Sequence, residues 1–261
     1  MTDYRFVQVD AFADRPFTGN PAAVMPLEAW LDDATLQAIG EENNLAETAF
    51  TIPCADGEAD YELRWFTPAV EVVLCGHATL ASGHVLIGDR DVVRFRTRKA
   101  GILTVARDGD GYALSLPAWG PEPAPLPDAT RLMGGAPVET LRHPGGYAVL
   151  VYENEAAIRA LAPDFAAMKP LGDTLYIATA PGEVADVVSR VFAPGAGIDE
   201  DPVTGSAHGV ISPYWARRLG RDSFTAFQAS ARGGHLTCRI EGDRVVLGGT
   251  CVTVIEGVFR L

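Results

Sequence analysis

Two short segments combine glycine with residue types that can move protons or bind anions. They are CGHAT (75–79) and TGSAH (204–208), and each opens a run that predicts a helix. The first turn of a helix has unpaired backbone N–H groups and a positive dipole end, which together attract anions. Because the feature occurs twice, we predict that both helix starts bind one anionic ligand, such as a carboxylate or a developing enolate. The alternative is that the glycines only permit a tight turn and close packing of helix on sheet.

Glu47 is the carboxylate with the clearest potential for acid–base chemistry. It lies in NLAETAF (44–50), where its neighbours are mostly apolar. A carboxylate buried without a partner is costly, so such a group shifts its pKa toward neutrality and can both take and return a proton. The alternative is a glutamate on the solvent face of an edge strand.

His77 and Asp201 are the other candidates for the chemistry. His77 lies in the first turn of its predicted helix, where the dipole is expected to keep the imidazole neutral and able to donate a proton or polarise a carbonyl. Asp201 ends an acidic triplet directly before Pro202, whereas Val72–Leu74 occupy the matching stretch of the first half. That asymmetry favours a role in the site. The alternatives are a histidine satisfied by nearby backbone and a structural Asp-Pro turn.

The sequence lacks the common patterns for metals and nucleotide cofactors. Its histidines and four cysteines do not have metal-ligand spacing, and neither a dinucleotide-binding glycine motif nor a phosphate-binding P-loop occurs. Only Lys99 and Lys169 are available for Schiff-base chemistry. We therefore expect no metal and no cofactor. Gly233, in the turn 232–234, offers backbone N–H groups to a carboxylate, although a plain hairpin start explains it equally.

Charge and hydropathy limit the possible partners. The net charge is −13, which opposes binding to nucleic acid or to an anionic membrane but permits a local pocket for a small anion. No apolar run approaches the length of a membrane span, and MTDYRFVQVDAF does not look like a signal peptide. The expectation is a cytoplasmic protein with reduced thiols.

An internal duplication indicates how these residues are positioned. GILTVARDGDGYAL (101–114) aligns without gaps to GHLTCRIEGDRVVL (234–247), with six of 14 residues identical. Upstream, 65–79 resembles 191–208, with Phe, Pro, Gly and Ala in the same order. Two internal similarities in the same order predict two lobes of a common design related by a pseudo-twofold axis. The cleft where the lobes face each other is then the natural ligand site.

The pattern of elements predicts an α+β fold in which each lobe is a mixed or antiparallel sheet wrapped around a central helix. We expect lobes at 1–117 and 118–261, a proline-rich linker at about 117–128, and a last strand that returns to the first lobe. The central helices are predicted at 76–87 and 205–219, with Pro213 causing a kink or a late start. Further helices are predicted from Asp32 or Asp33 to about Glu42, and over 155–161 and 182–191.

Four ordered motifs resemble the phenazine-biosynthesis PhzF-like isomerase/epimerase family over nearly the whole chain. They are FTGNPAAV (17–24), NLAETAF (44–50), LCGHATLASGHVL (74–86) and EDPVTGSAHG (200–209). The family is related to diaminopimelate epimerase, which has two similar lobes. The resemblance implies that fold, in agreement with the duplication.

The resemblance also implies roles for individual residues. Glu47 matches the catalytic acid/base, Asp201 the second acidic residue and His77 the site histidine. The residues implied in substrate binding are Gly76, Ser206, Asn20, Gly205 and Gly233. In the characterised reaction of the family, trans-2,3-dihydro-3-hydroxyanthranilate is isomerised without a cofactor by moving a hydrogen between ring carbons.

The predicted function is therefore a cofactor-independent isomerase or epimerase of a small amino- or hydroxy-carboxylate, in a possible homodimer. A two-thiol racemase is disfavoured because Cys75 stands at one helix start but Thr204 at the other. A one-base amino-acid racemase and a non-catalytic ligand-binding protein of the same fold remain as alternatives.

Overall fold

The computed structural model describes all 261 residues, which form eighteen strands and six α-helices. In chain order the strands are β1 (Asp3–Ala11), β2 (Asn20–Pro26), β3 (Glu47–Pro53), β4 (Tyr61–Phe66), β5 (Glu71–Val72), β6 (Val92–Thr97), β7 (Ile102–Asp108), β8 (Gly111–Pro117), β9 (Glu122–Pro123), β10 (Glu139–His143), β11 (Tyr147–Val151), β12 (Leu175–Pro181), β13 (Val187–Ala193), β14 (Ile198–Asp201), β15 (Ser223–Gln228), β16 (Gly234–Glu241), β17 (Arg244–Gly249) and β18 (Cys251–Arg260). The helices are α1 (Asp33–Asn43), α2 (Gly76–Leu86), α3 (Pro127–Met133), α4 (Glu155–Arg159), α5 (Phe165–Met168) and α6 (Gly205–Leu219).

The chain divides into two compact units. The first contains Met1–Leu116 together with Gly248–Leu261, and the second contains Pro117–Leu247. In the first unit, β18 pairs antiparallel with β1 along nearly its whole length. Each unit combines parallel and antiparallel strand pairs with helices, so the predicted α+β class is confirmed.

The two units repeat one order of strand pairing, as the sequence duplication predicts. In the first, β2 is parallel to β3, β3 antiparallel to β4, β4 antiparallel to β5 and parallel to β6, and β6 antiparallel to β7. In the second, β11, β12, β13, β14, β15 and β16 pair in the same directions and order. α2 follows β5 and α6 follows β14, so the two helices occupy equivalent positions in the repeat.

α2 is buried from Gly76 to Gly83. It packs on β1, β2, β3 and β7, and close approach to β7 requires Gly83, because a Cβ added there would lie 2.7 Å from the Cβ of Val105. α1 begins as predicted, since the Asp32 side chain accepts from the backbone N–H of Thr35. The helix ends on Asn44 in the left-handed conformation, and the chain then enters β3.

α6 begins at Gly205 as predicted and continues through Pro213. Proline has no N–H, so the carbonyl of Gly209, four residues earlier, loses its helical donor. The backbone N–H of Trp119 supplies a replacement at 3.2 Å. This bond explains how the helix tolerates an internal proline and also fixes the start of the second unit against it.

Two expectations about the second unit were wrong in detail. Residues 182–191, predicted as a helix, contain most of β13, in which Val187, Val188 and Val191 are buried. The proline-rich stretch 117–128 is more than a linker, because it contains β9 and the start of α3. No helix has the length and apolar character needed to cross a lipid bilayer.

Candidate active site

Glu47 is the first residue of β3 and pairs with Ala22 of the parallel strand β2. It follows directly on the loop that leaves α1, and its neighbours along β3 are buried. The residue is 9% exposed, so its carboxyl group is largely removed from solvent. Glu47 therefore does not lie on a solvent-exposed face of the strand, which was the alternative.

His77 is the residue that meets this carboxylate. It is the second residue of α2 and is 3% exposed, and its Nε2 lies 2.9 Å from Oε2 of Glu47. Neither of these two buried atoms has another hydrogen-bond partner in the chain. Two titratable groups from different elements thus depend on each other for electrostatic compensation.

The opposite ring nitrogen of His77 has two neighbours. Nδ1 lies 3.1 Å from Nδ2 of Asn20, which is the first residue of β2 and is fully buried. It also lies 3.6 Å from Sγ of Cys75, the N-cap residue of α2. The imidazole is held on both sides, and Asn20, implied as a substrate-binding residue, positions the site histidine.

The expected neutrality of His77 is not supported. Burial by itself lowers the pKa of the imidazole, but the contacts with Cys75 and Glu47 outweigh it and raise the pKa well above its ordinary value. The helix dipole, on which the expectation rested, is weaker than a carboxylate at 2.9 Å. Burial raises the pKa of the Cys75 thiol to about 11, so this group is protonated at neutral pH.

Glu47, Cys75 and His77 offer the oxygen, sulfur and nitrogen donors that zinc accepts, within 4.8 Å of one another. Spacing in the sequence did not reveal this cluster, since the residues come from two elements. The imidazole, however, lies between the other two groups, with Nδ1 toward Cys75 and Nε2 toward Glu47. One ion can use only one ring nitrogen, so all three groups cannot bind one ion without rearrangement.

In the second unit, Asp201 ends β14 and lies directly before α6. Its carboxylate accepts a hydrogen bond from the hydroxyl of Thr204, the N-cap residue of α6. Gln228 fixes the same turn, because its amide donates to the Asp201 carbonyl at 2.7 Å and accepts from the Thr204 N–H at 2.9 Å. Asp201 is 8% exposed and is therefore held in one orientation.

Ser206 is the second residue of α6 and occupies the place that His77 has in α2. Burial raises the pKa of Tyr147, the first residue of β11, and Ser206 opposes this shift. Gly233 is tied to the same region, since its N–H donates to Ser230, whose hydroxyl donates to the carbonyl of Pro202. Gly205, the first residue of α6, lies between Thr204 and Ser206.

The structure thus gathers the predicted residues into two groups, one in each unit. The first consists of Asn20, Glu47, Gly76 and His77, and the second consists of Asp201, Gly205, Ser206 and Gly233. Sequence reasoning missed Gln228. It is distant in sequence from Asp201 and Thr204, which it holds, and no pattern in the sequence pointed to it.

Comparison with known proteins gives this geometry a context. The family model for phenazine biosynthesis-like proteins matches residues 9–257. The chain belongs to this family. An uncharacterized isomerase of Pseudomonas aeruginosa is 52% identical, over 97% of this chain and 98% of the relative.

Solved structures agree with the family assignment. A phenazine biosynthesis protein of the PhzF family from Enterococcus faecalis has a TM-score of 0.92 and 42% identity, with complete coverage of both chains. A hydroxyproline epimerase from Agrobacterium vitis has a TM-score of 0.65 at 13% identity, covering 98% of this chain and 92% of the epimerase, and shares the fold. The PhzF-like isomerase/epimerase family expected from the motifs is therefore confirmed.

Proposed function

We propose that the protein is a cofactor-independent isomerase or epimerase that moves a proton between carbons of a small amino- or hydroxy-carboxylate. The observation that carries the proposal is the buried Glu47 carboxyl group, 2.9 Å from the imidazole of His77. The family assignment supports isomerisation in general. The kind of substrate and the roles of the residues are part of the proposal.

Glu47 acts as the base that removes the proton and as the acid that returns it. Its Oε2 is buried against His77, which leaves the other carboxyl oxygen to receive the hydrogen. The C–H bond breaks, its electron pair enters the conjugated system of the substrate, and Glu47 then delivers the proton to a carbon atom. No net oxidation or reduction occurs.

His77 stabilises the ionised form of Glu47 before the proton is taken. Its Nε2–H donates to the carboxylate, and the raised pKa of the imidazole favours the form that carries this proton. Asn20 and Cys75 hold the other side of the ring in position. The base is consequently charged and oriented when the substrate binds.

Asp201 and Ser206 are proposed to bind the polar groups of the substrate. The Thr204 hydroxyl orients the Asp201 carboxylate, a hydrogen-bond acceptor of the kind that an amino or hydroxyl group requires. Ser206 and the first N–H groups of α6 suit a carboxylate or a developing enolate.

Proton exchange in deuterium oxide tests the proposal. Candidate cyclic and amino carboxylates are incubated with the protein, and carbon-bound deuterium is measured by NMR and mass spectrometry. We expect incorporation or isomerisation with the native chain and its loss with Glu47→Gln. Glu62→Gln is the matched control, because Glu62 is a partly buried carboxylate that accepts from Trp30 instead of from a histidine.

The same experiment separates the alternatives. With a one-base racemase, the substrate solution loses its optical rotation and no double bond shifts. With an isomerase, the product has a shifted double bond. Binding of carboxylates without exchange for any of them indicates a non-catalytic protein. Exchange that persists in Glu47→Gln removes Glu47 from the proposed role.

A further inference from the structure

The last part of β18 forms an edge of the sheet in the first unit. Its pairing with β1 continues to Thr2 and Leu261, whose N–H groups donate to each other's carbonyls at 2.6 and 3.1 Å. In an antiparallel pair the backbone groups of alternate residues point toward and away from the neighbouring strand. Those that point away from β1 belong to Glu256, Val258 and Arg260. This row of backbone donors and acceptors is a template for another strand.

The side chains along this edge are open to solvent. Ile255, Val258 and Leu261 are large apolar residues that are 48%, 50% and 46% exposed. A Cβ added at Gly257 would have no atom within 4 Å. An exposed apolar strand edge is either protected or used to bind another strand. The segment 255–261 is therefore accessible for strand addition.

We propose that the segment 255–261 pairs antiparallel with the same segment of a second copy of this chain, about a twofold axis at Val258. Residues at equal distances before and after Val258 then face each other across the interface. Ile255 lies opposite Leu261, and Glu256 lies opposite Arg260. Apolar residues thus face apolar residues and opposite charges face each other, and both kinds of cross-strand pair are stabilising. The proposal is independent of the catalytic chemistry above.

The neighbouring registers are less complementary. The same backbone groups can also pair with the twofold axis at Gly257 or at Phe259. With the axis at Gly257, Glu256 lies opposite Val258. With the axis at Phe259, Val258 lies opposite Arg260. Each of these registers sets a charged residue against an apolar one, so the register centred on Val258 is favoured.

The charges on β1 support the same register. Arg5 binds Glu256 at 3.1 Å, and Asp3 binds Arg260 at 3.3 Å. All four side chains are more than half exposed, and ion pairs of this kind contribute little stability. In the dimer, each charge of β18 lies between an opposite charge on β1 and an opposite charge of the second copy. The interface therefore adds attractive contacts and brings no like charges into facing positions.

Charge reversal tests the proposal, with the mass of the intact chain measured by sedimentation equilibrium. We expect the native chain to form a dimer. Glu256→Arg or Arg260→Glu alone sets like charges opposite each other at two symmetric places, and should raise the Kd of the dimer by about tenfold or more. The double variant Glu256→Arg/Arg260→Glu should return the Kd close to its native value. Within one chain the two substitutions cannot compensate each other, because each residue has its own partner on β1.

A backbone variant and a matched control complete the design. Val258→Pro removes the outward N–H at the centre of the interface, where a strand edge tolerates proline, and should weaken the dimer. Glu241→Arg is the control, because Glu241 is an exposed residue of β16 that pairs with Arg239 at 2.6 Å. Its Kd should equal that of the native chain. Thermal unfolding establishes that each variant is folded.

Several results would overturn the proposal. One is a native chain that stays monomeric at every concentration tested. Another is a dimer of native strength in both Glu256→Arg and Val258→Pro, which would locate the interface elsewhere. Weakening in the single charge variants without recovery in the double variant would refute the register centred on Val258. An equal loss in Glu241→Arg would indicate a general effect of charge and would also refute the proposal.

Discussion

His208 is expected to make the folded state less stable at acid pH. It is fully buried in the first turn of α6, where Nδ1 lies 2.9 Å from the Thr204 carbonyl and Nε2 lies 3.4 Å from the Ser189 hydroxyl. A carbonyl only accepts, so Nδ1 carries the hydrogen and Nε2 accepts from Ser189. Both ring nitrogens are thereby satisfied in the neutral form. Burial lowers the pKa of His208 to about 4, against a smaller opposing effect of the bond to Thr204.

The size of the effect follows from the difference between the folded and unfolded states. An unfolded histidine titrates near its ordinary pKa of 6.5. Between about pH 4 and pH 6.5 the unfolded chain therefore binds a proton at His208 that the folded chain does not bind. At about 1.4 kcal/mol per pKa unit, the neutral buried ring contributes about 3 kcal/mol of stability. Because the folded pKa is depressed, this contribution is fully present above about pH 6.5 and is lost as the pH falls toward about pH 4.

The matched variant comes from the other half of the molecule. Thr79 has the equivalent place in α2, and its hydroxyl donates to the Cys75 carbonyl at 2.5 Å. His208→Thr should keep the corresponding bond to Thr204 while it removes the titrating group. The smaller side chain leaves a cavity, for which we expect a cost of about 1–3 kcal/mol at neutral pH. The pH dependence, by contrast, should become shallower.

Urea unfolding at several pH values between about pH 7.5 and pH 4.5 measures both effects. Carboxylates also titrate at the acid end, so the decisive quantity is the difference between native and variant slopes. His143→Gln is the control, since His143 is a partly exposed histidine of the same unit. Parallel pH profiles for the native chain and His208→Thr would refute the reasoning.

Three further predictions concern packing, a buried ion pair and thiol reactivity. Gly83→Ala should destabilise the chain by about 1–3 kcal/mol, because the added methyl group meets Val105. In the control Gly209→Ala, no atom lies nearer than 3.5 Å to the added methyl group, so that variant should be neutral or stabilising. Thermal unfolding measures both effects. Arg64→Ala should cost about 1–3 kcal/mol in urea unfolding, because it removes the hydrogen bonds that a 2%-exposed guanidinium donates to Glu71 and Asp33. Cys54 should react first with a thiol reagent, since Cys75 and Cys238 are buried and burial raises their pKa values to about 11 and 12. The packing prediction is contradicted if Gly209→Ala destabilises the chain as much as Gly83→Ala. The ion-pair prediction is contradicted if Arg64→Ala leaves the stability unchanged, and the thiol prediction if a buried cysteine is labelled before Cys54.

The duplication made much of the fold predictable. The aligned segments 101–114 and 234–247 correspond to β7–β8 and β16–β17, and both hairpins turn on a glycine with positive φ, Gly109 and Gly242. The second internal similarity, between 65–79 and 191–208, contained the correction to 182–191. Phe192 matches Phe66, which ends a strand, and Val187, Val188 and Val191 are β-branched residues that suit a buried strand.

The contacts within the site were less predictable. Residue types and the family motifs singled out Glu47 and His77, but their 2.9 Å approach depends on how β3 meets the start of α2. No spacing rule connects two residues that are far apart in the chain and belong to different elements. The direction of the His77 pKa shift was wrong in the prediction for the same reason, since the helix position was visible in the sequence and the carboxylate neighbour was not.

Comparison of the two helix starts supports the proposal that Glu47 is the base. At the N-cap, Cys75 is a thiol with a raised pKa, and Thr204 is a hydroxyl that donates to Asp201. Neither is a base at neutral pH, so a mechanism with one thiol on each face of the substrate is not available to this chain. Of the two carboxylates, Asp201 accepts from a neutral hydroxyl, while Glu47 faces an imidazole that can accompany its change of charge. A single carboxyl group that removes and returns the same proton is therefore the mechanism that these residues suit best.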